Sequence, residues 1–441
     1  MNPEFERNVW LELTPLRLIA MSVVLALAFF AAALSDGWIT PGATARVGFA
    51  LIVVVWGTGN AARAVIGEIR ERTWDFQRLG ALGAGPMMWG KLFGATVFNW
   101  FGGVLCLAVI AADAVHYYGI GPAAEEIAYW IAMGVIAEAV SLFVSLIAAR
   151  RRQSRTGFEI LLYQAIGIAA ALVVWLVADP SGTTIGIFAR DETTTWWGLT
   201  VSKSGFYLTS LAVFTAWVLT GCYRQMRLEL KLVNGPFVWL AFLAFMVLYA
   251  AGFQDFAPPG GRFDATMWRL MLAAIVAADL AYVTVFLEPK NRVQLRWLAG
   301  EFGKFRLGSA LAHLPCWMMS YLAAAVLAAV LIGRFAVAGM APQAAGTVAI
   351  LGFFTRDLAI VVLMSTVIRR GGDLMAIAVL FVLYALLPSI VLGLHYTAGR
   401  ALFLPLPTEP IWLGPALAWL EALAVWTAAA MRIALGEKKQ N

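Results

Sequence analysis

The chain has 441 residues, of which 61% are hydrophobic and only 13% are charged, and its formal net charge at pH 7 is +6. A soluble domain carries roughly 25% charged residues, so this composition excludes an ordinary soluble protein. The positive charge requires no nucleic-acid partner, because basic loops against an anionic lipid leaflet account for it.

Long apolar runs recur along the whole chain. Each has about 20 residues, enough to cross the ~30 Å hydrocarbon core of a bilayer, and together they predict about twelve transmembrane helices. Closed barrels would alternate apolar and polar residues, which these runs do not. We therefore predict an all-α polytopic membrane protein with spans at 18–35, 46–66, 92–112, 127–149, 157–178, 204–222, 234–253, 266–287, 308–333, 344–368, 373–394 and 411–431.

The basic residues predict the orientation of these spans. If the N-terminus is inside, most of the 32 Lys and Arg residues fall in cytoplasmic segments, as the positive-inside rule requires. Both termini are thus predicted to be cytoplasmic. Ahead of the first span, Phe5, Val9, Trp10 and Leu13 recur at helical spacing. They predict an amphipathic helix lying in the membrane interface, and a frayed polar tail is the alternative.

The second half of the sequence repeats the first. Three landmarks recur in the same order and at nearly constant spacing. The run Arg7 to Leu13 corresponds to Arg224 to Leu230, and Arg78 and Gly90 correspond to Arg296 and Gly308. The third landmark, Glu138 with Arg150 and Arg151, corresponds to Asp357 with Arg369 and Arg370. Because six helices per copy is an even number, both copies enter the membrane in the same sense, which makes this a parallel repeat. We predict one six-helix repeat over 1–223 and a second over 224–441.

The polar segment after the second span is long for a turn between membrane helices. The whole segment 67–91 is polar and has a small excess of basic residues, and Trp74, Arg78 and Leu79 would share one face of a short helix. Glycines and Pro86 then turn the chain back towards the bilayer.

This segment resembles the cytoplasmic loop of ABC-2 type transporter permeases. The resemblance rests on Glu68, Arg72-Thr73, Arg78-Leu79, Gly85-Pro86 and Gly90-Lys91. That family typically has a Glu, then Gly-Thr, a Leu-rich turn, a Pro and Gly-Lys, so Arg72 departs from it. In such permeases the loop is a coupling helix that docks into a separate ATPase subunit. A basic loop lying on anionic lipid, without a protein partner, is the alternative.

The resemblance implies partners and site residues. ATP and Mg would be bound by ABC ATPase subunits, expected to be two, and this chain would bind no cofactor itself. The membrane would be the bacterial inner membrane. The coupling loop would comprise Glu68, Arg70, Arg72, Thr73, Trp74, Arg78, Gly90 and Lys91.

The corresponding loop of the second copy is degenerate. It keeps basic charge and an aromatic residue, but Gly308-Ser309 stands where the first copy has Gly90-Lys91. The two loops would therefore dock ATPases unequally, or the second would not dock. Its candidate residues are Glu288, Arg292, Arg296 and Trp297.

The sequence offers no set of catalytic residues. Residues 85–91 fit the Gly-x4-Gly-Lys core of a phosphate-binding loop, but Leu92 replaces the Ser or Thr that would bind Mg²⁺. The three Cys and three His residues are scattered, which predicts no metal site. We therefore expect no enzyme activity in this chain.

Several ionisable residues fall inside predicted spans. Each costs on the order of 3 kcal/mol at a helix centre, so each should face protein or water and be paired. They would form either a polar translocation path or interhelical salt bridges. Arg356 and Asp357 point about 100° apart on a helix and need not pair with each other. The set is Glu138, Asp279, Arg356, Asp357 and Glu421.

The longest external loop is predicted at 179–203. Trp196 and Trp197 suit the membrane–water interface, which favours an aromatic anchor. The resemblance to ABC-2 permeases instead implies short re-entrant helices here, and a substrate-contacting role would follow only from that analogy.

These features together predict the permease subunit of an ABC-2 type exporter. The scarcity of charge in the spans favours lipid-linked or amphipathic cargo. The alternatives are a secondary transporter or flippase driven by ion gradients, and a membrane scaffold protein.

Overall fold

A computed structural model describes residues 2–35, 39–71, 73–80, 82–151, 157–178, 192–253, 263–368, 371–393, 402–405 and 410–435. The chain forms two compact units. The first comprises Met1–Thr194 and Thr200–Asn234, and the second comprises Thr195–Leu199 and Gly235–Asn441.

The first unit is a bundle of long apolar helices. Its helices are α1 (Pro3–Glu12), α2 (Pro15–Ala33), α3 (Pro41–Phe49), α4 (Thr58–Arg70), α5 (Trp74–Leu79), α6 (Ala84–Trp89), α7 (Val97–Tyr118), α8 (Ile120–Arg151), α9 (Gly157–Ala178) and α10 (Lys203–Glu229). The π-helical segment Ala50–Gly57 joins α3 to α4, and the π-helical segment Gly90–Gly94 follows α6.

The second unit follows a similar order of elements. Its helices are α11 (Phe237–Ala251), α12 (Ala265–Leu287), α13 (Arg292–Gly303), α14 (Leu307–Ala312), α15 (Cys316–Val337), α16 (Ala341–Val367), α17 (Gly372–Phe381), α18 (Leu387–Gly393) and α19 (Leu413–Leu435). The π-helical segment Val382–Leu386 joins α17 to α18.

The structure has the architecture of an all-α, multi-pass membrane protein. Eleven helices within the described ranges are long and apolar enough to cross a membrane, and α11 is a shorter apolar helix. Each predicted span overlaps one of these helices, and the span predicted at 308–333 also includes α14, which is separate from α15. Many large apolar side chains are exposed on α2 and α17, as expected of helices that face lipid.

Helix starts follow local chemistry. Asn2 caps α1 by accepting from Glu4 N, and Thr40 caps α3 by accepting from Ala43 N at 3.1 Å. Asp264, just ahead of α12, accepts from Met267 N at 2.6 Å, and this bond lowers the pKa of its carboxyl.

The predicted boundary between the two repeats lies inside a helix. Residues 224–229, the expected counterpart of the amphipathic α1, continue α10 instead of forming a separate helix. Because this part of α10 packs with the first unit, the compact units divide between Asn234 and Gly235. At the start of the chain, by contrast, the predicted helix ahead of the first span is present as α1.

The end of the predicted external loop is a hairpin. Strands β1 (Thr193–Trp196) and β2 (Leu199–Ser202) pair there, so re-entrant helices do not occupy 192–203, and 179–191 lie outside the described residues. In the second unit, Trp196 Nε1 donates to Tyr249 O and Trp197 Nε1 to Leu248 O, both at 3.1 Å. The two tryptophans thus fix the hairpin tip to α11.

Candidate functional site

The predicted coupling loop folds around a group of charges, buried except for the half-exposed Arg7, which we call the loop cluster. It consists of Glu4 and Arg7 from α1, Glu68 from α4 and Lys91 from the π-helical segment after α6. Lys91 Nζ lies 2.7 Å from Glu4 Oε1 and also contacts Glu68 Oε1. Arg7 Nη2 lies 2.9 Å from both carboxylates. Two positive and two negative side chains therefore neutralise one another.

Lys91 is the centre of the loop cluster. Its side chain is only 2% exposed, and its ammonium lies 5.8 Å from the centroid of the buried Trp74 ring. Gln77 Nε2 on α5 donates to Glu68 Oε1 at 2.7 Å. Removing a charge from such a cluster costs several kcal/mol, because the partners are left buried and unpaired.

The remaining contacts hold α1 close to the helix that follows the loop. Asn8 Nδ2 donates to Gly90 O at 3.2 Å. A side chain at Gly90 would collide with that of Glu4, since a Cβ there would lie 2.6 Å from Glu4 Cγ. The Gly-Lys pair therefore lets α1 approach closely and provides the cation that binds it.

The structure brings only part of the predicted coupling loop together. Glu68, Trp74 and Lys91 meet in the loop cluster, and Thr73 N donates to Glu68 O at 3.0 Å where α4 ends. Arg70 is exposed, and Arg78 Nη1 lies 3.4 Å from Asp75 Oδ1 on the outer side of α5. Arg72 lies outside the described residues.

Sequence reasoning missed Glu4, Arg7 and Gln77 as members of this site. The available signal was the polar face of the predicted amphipathic helix, where Glu4 and Arg7 lie between the apolar positions. The sequence predicts only that this helix lies in the membrane interface. The structure turns its polar face towards the loop.

Residues 85–91, which resemble a phosphate-binding loop, have a different structure. They run through α6 into the π-helical segment Gly90–Gly94. Lys91, the position of the phosphate-binding lysine, contacts two carboxylates instead.

The second loop contains a different set of contacts. Lys290 Nζ, whose side chain is buried, pairs with Asp373 Oδ1 of α17 at 2.5 Å. Glu288 Oε1 accepts from Cys316 N at 3.1 Å and so caps α15. Trp297 is partly exposed and packs edge-on against His313, while Arg292 and Arg296 are partly buried. The charged residues of the two loops thus make different contacts.

In the second unit, three of the four charges predicted within spans form a compact site. Arg356 Nε and Nη2 donate to Asp357 Oδ1 at 3.1 and 3.0 Å, and Nη1 donates to Glu421 Oε2 at 2.7 Å. The adjacent residues pair although they point apart, because the long Arg side chain folds back. Tyr282 and Tyr384 donate to Asp357 Oδ2 at 2.7 and 2.6 Å. We call these five residues the Arg356 site.

Asp279 departs from the expectation that every charge within a span is paired. Its side chain is exposed on α12, and it forms no ion pair with any residue in the described ranges. The spacing of charges along one helix does not reveal which face is packed, so this difference could not be found in sequence.

The first unit contains an ion-pair group that the sequence did not reveal. Arg46, buried in the last turn of α3, pairs with Asp113 at 2.9 Å and with Glu126 at 2.8 Å. Trp130 Nε1 also donates to Glu126 Oε1. The three charged residues lie at the ends of predicted spans. Charged residues are common at such positions, so nothing in the sequence indicated that these three form ion pairs.

Glu138 lies deep in the first unit, on α8. It is fully buried, and Oε2 accepts from Thr96 Oγ1 at 3.1 Å and from Trp100 Nε1 at 2.8 Å. It is expected from the repeat to correspond to Asp357, but its surroundings contain hydrogen-bond donors in place of a guanidinium.

The chain matches no protein-family model, no curated protein and no solved structure. Function is therefore inferred from the geometry of this chain's own residues.

Proposed function

We propose that this protein is the transmembrane permease subunit of an ABC-2 type exporter, which couples ATP hydrolysis by separate ATPase subunits to the export of a lipid-linked or amphipathic substrate. The observation that carries the proposal is the loop cluster. It joins α1, the end of α4 and the start of the helix leading into α7 through four charged side chains.

A coupling element needs a rigid base and an exposed contact surface. The loop cluster supplies the base, because its ion pairs are largely buried and Trp74 packs beside them. The outward face of α5 supplies the surface, since Phe76 is 80% exposed and Asp75 and Arg78 lie beside it. Binding hot spots are enriched in large aromatic residues and in Arg, and this face presents both.

Force applied to α5 would reach several membrane spans at once. Glu68 lies on the helix that ends the second span, and Lys91 lies on the helix that begins the third. Glu4 and Arg7 precede the first span. A partner that pulls on α5 would therefore move three spans together, which is what conversion of ATPase closure into a change in the membrane requires.

The proposal includes the finer architecture predicted from sequence. The twelve apolar helices would form two parallel six-helix repeats with both termini in the cytoplasm, in a bacterial inner membrane. Two ATPase subunits would bind ATP and Mg, and the second loop would dock unequally with the first, or not at all, because Gly308-Ser309 stands in place of Gly90-Lys91.

The exposed face of α5 provides the direct test. Phe76→Glu is expected to weaken association with an ABC ATPase that co-purifies with the wild type about thirtyfold, as for an anchor worth ~2 kcal/mol. Co-purification from detergent extracts and stimulation of ATPase activity would measure this loss. Glu68→Ala is a poorer choice, because Glu68 belongs to the loop cluster and its removal would disturb the fold.

Phe305→Glu is the matched control. Phe305 follows α13 in the second loop and is as exposed as Phe76, so the same change there is expected to weaken association much less. Unchanged association of the Phe76→Glu variant would contradict the proposal.

A gradient-driven secondary transporter or flippase is the second candidate. The buried carboxyl of Glu138 favours it, because intramembrane acids mark proton and ion pathways. Transport that persists after ATP depletion and collapses with the proton gradient would support this candidate over the ABC-2 exporter.

A further inference from the structure

Glu138 occupies an unusual site for a carboxyl group. Its two oxygens differ: Oε2 accepts two hydrogen bonds, from Thr96 and Trp100, whereas Oε1 has no hydrogen-bond partner among the described residues. The side chain is fully buried on α8. An ionised carboxylate in such surroundings would leave much of its charge unbalanced.

Oε1 faces the π-helical segment Ala50–Gly57. Any side chain at Gly57 would collide with this oxygen, so the absence of a Cβ there makes room for the carboxyl. Eight residues of π-helix are rare, and such segments occur frequently at functional sites. The space beside Oε1 is therefore made by a backbone that differs from an ordinary helix.

The charged groups around α8 are engaged elsewhere. Lys91 belongs to the loop cluster, and Arg46, with Asp113 of α7, belongs to the ion-pair group at the last turn of α3. Arg63 of α4 has an exposed side chain. No basic group among the described residues forms an ion pair with Glu138.

Other titratable side chains on helices packed against α8 also have partners of their own. Cys222 Sγ of α10 contacts Ala139 O at 3.1 Å, and Tyr163 of α9 interacts with Glu159 on the same helix. The groups that face Glu138 from α7 and the residue just ahead of it are the indole of Trp100 and the hydroxyl of Thr96. Neither changes charge in the physiological pH range.

We propose that Glu138 is a proton-binding site: in this conformation Oε1 carries one proton, and the neutral carboxyl gives it to water when the Ala50–Gly57 segment moves and admits solvent. The step leaves a carboxylate and one hydrated proton. The inference is independent of whether ATP or an ion gradient drives transport, since it concerns the protonation of one side chain.

The second unit provides an internal comparison. Asp357 is as buried as Glu138, but it accepts from Arg356 and from two tyrosines. A guanidinium and two hydroxyl donors stabilise the ionised form. One chain therefore contains two buried acids that we expect to differ in charge.

Infrared difference spectroscopy on the purified full-length protein tests this directly. Subtracting the spectrum of Glu138→Gln from that of the wild type at neutral pH is expected to give a protonated-carboxyl band. That band should be lost as the pH is raised. The same subtraction with Asp357→Asn is expected to give ionised carboxylate bands. Carboxylate bands for Glu138 at neutral pH, with or without a bound metal cation, would overturn the proposal.

A second measurement needs no variant. A neutral carboxyl protonates one nitrogen of dicyclohexylcarbodiimide, and the resulting carboxylate oxygen adds to the central carbon of the reagent. The adduct then rearranges to a stable N-acylurea. Peptide mass spectrometry of the wild type is expected to find at least about tenfold more adduct on Glu138 than on Asp357. Equal labelling, or labelling of Asp357 alone, would count against the proposal.

Discussion

Arg356→Met is expected to lower the free energy of unfolding by about 3–5 kcal/mol, the range for removing one partner of a buried ion pair. Arg356 is 2% exposed and provides the positive charge between Asp357 and Glu421 in the Arg356 site. Methionine fills a similar volume but carries no charge, so both carboxylates lose their positive partner. The guanidinium also lies 4.6 Å from the Phe353 ring centroid, a contact that the variant loses.

The loss in the free energy of unfolding should depend on how much negative charge remains in the Arg356 site. Asp357→Asn in the Arg356→Met background keeps an acceptor for Tyr282 and Tyr384 while removing a buried negative charge. The double variant is therefore expected to be more stable than Arg356→Met alone. Contacting residues in one network couple in this way, and the double-mutant cycle measures the coupling.

Equilibrium unfolding in sodium dodecyl sulfate, followed by tryptophan fluorescence, provides the measurement. Arg334→Met is the matched control in the same unit, because Arg334 pairs with Asp264 where both side chains are about half exposed. Exposed pairs contribute little to stability. Similar effects of the two Arg→Met changes would show that the Arg356 site is not the stabilising network described here.

Lys91→Met is expected to cost about 3 kcal/mol and to release α1 from the loop. Lys91 is the buried cation of the loop cluster, and without it Glu4 and Glu68 would face each other with only the half-exposed Arg7 to neutralise them. Moving α1 would relieve the repulsion between the two carboxylates most easily, because α1 is shorter and more exposed than α4.

Two measurements separate local release from global unfolding. Hydrogen exchange over residues 2–12 should rise strongly in Lys91→Met, and Glu68→Gln in the same background should restore part of the protection. Arg70→Met, which removes an exposed charge from the same loop, should leave exchange unchanged. Normal protection of α1 in Lys91→Met would show that another contact holds this helix.

Much of the fold could be predicted from the sequence because the bilayer imposes a local rule. A span needs about 20 apolar residues wherever it lies, and its backbone N–H and C=O groups must form their hydrogen bonds within the helix. The helices therefore appear where the hydropathy places them. The short helix at 74–79 and the helix ahead of Pro15 follow from local periodicity in the same way.

The sites depend on partners that are distant in sequence. Arg7 and Glu68 are separated by 61 residues, and Arg46 and Glu126 by 80. Whether two such side chains meet depends on how helices rotate and pack, which the periodicity of a single helix does not specify. For this reason Arg46 was overlooked, and Asp279 proved to be exposed.

The sequence by itself determined that this protein is helical, lies in a membrane and carries a polar loop after its second span, because these properties follow from composition and local spacing. Only the tertiary structure decided which partners each charged side chain has. Glu138 and Asp357 are acids at matching places in the two predicted repeats, yet one is surrounded by neutral donors and the other by an arginine and two tyrosines. In a low-dielectric interior these neighbours determine which acid holds its proton.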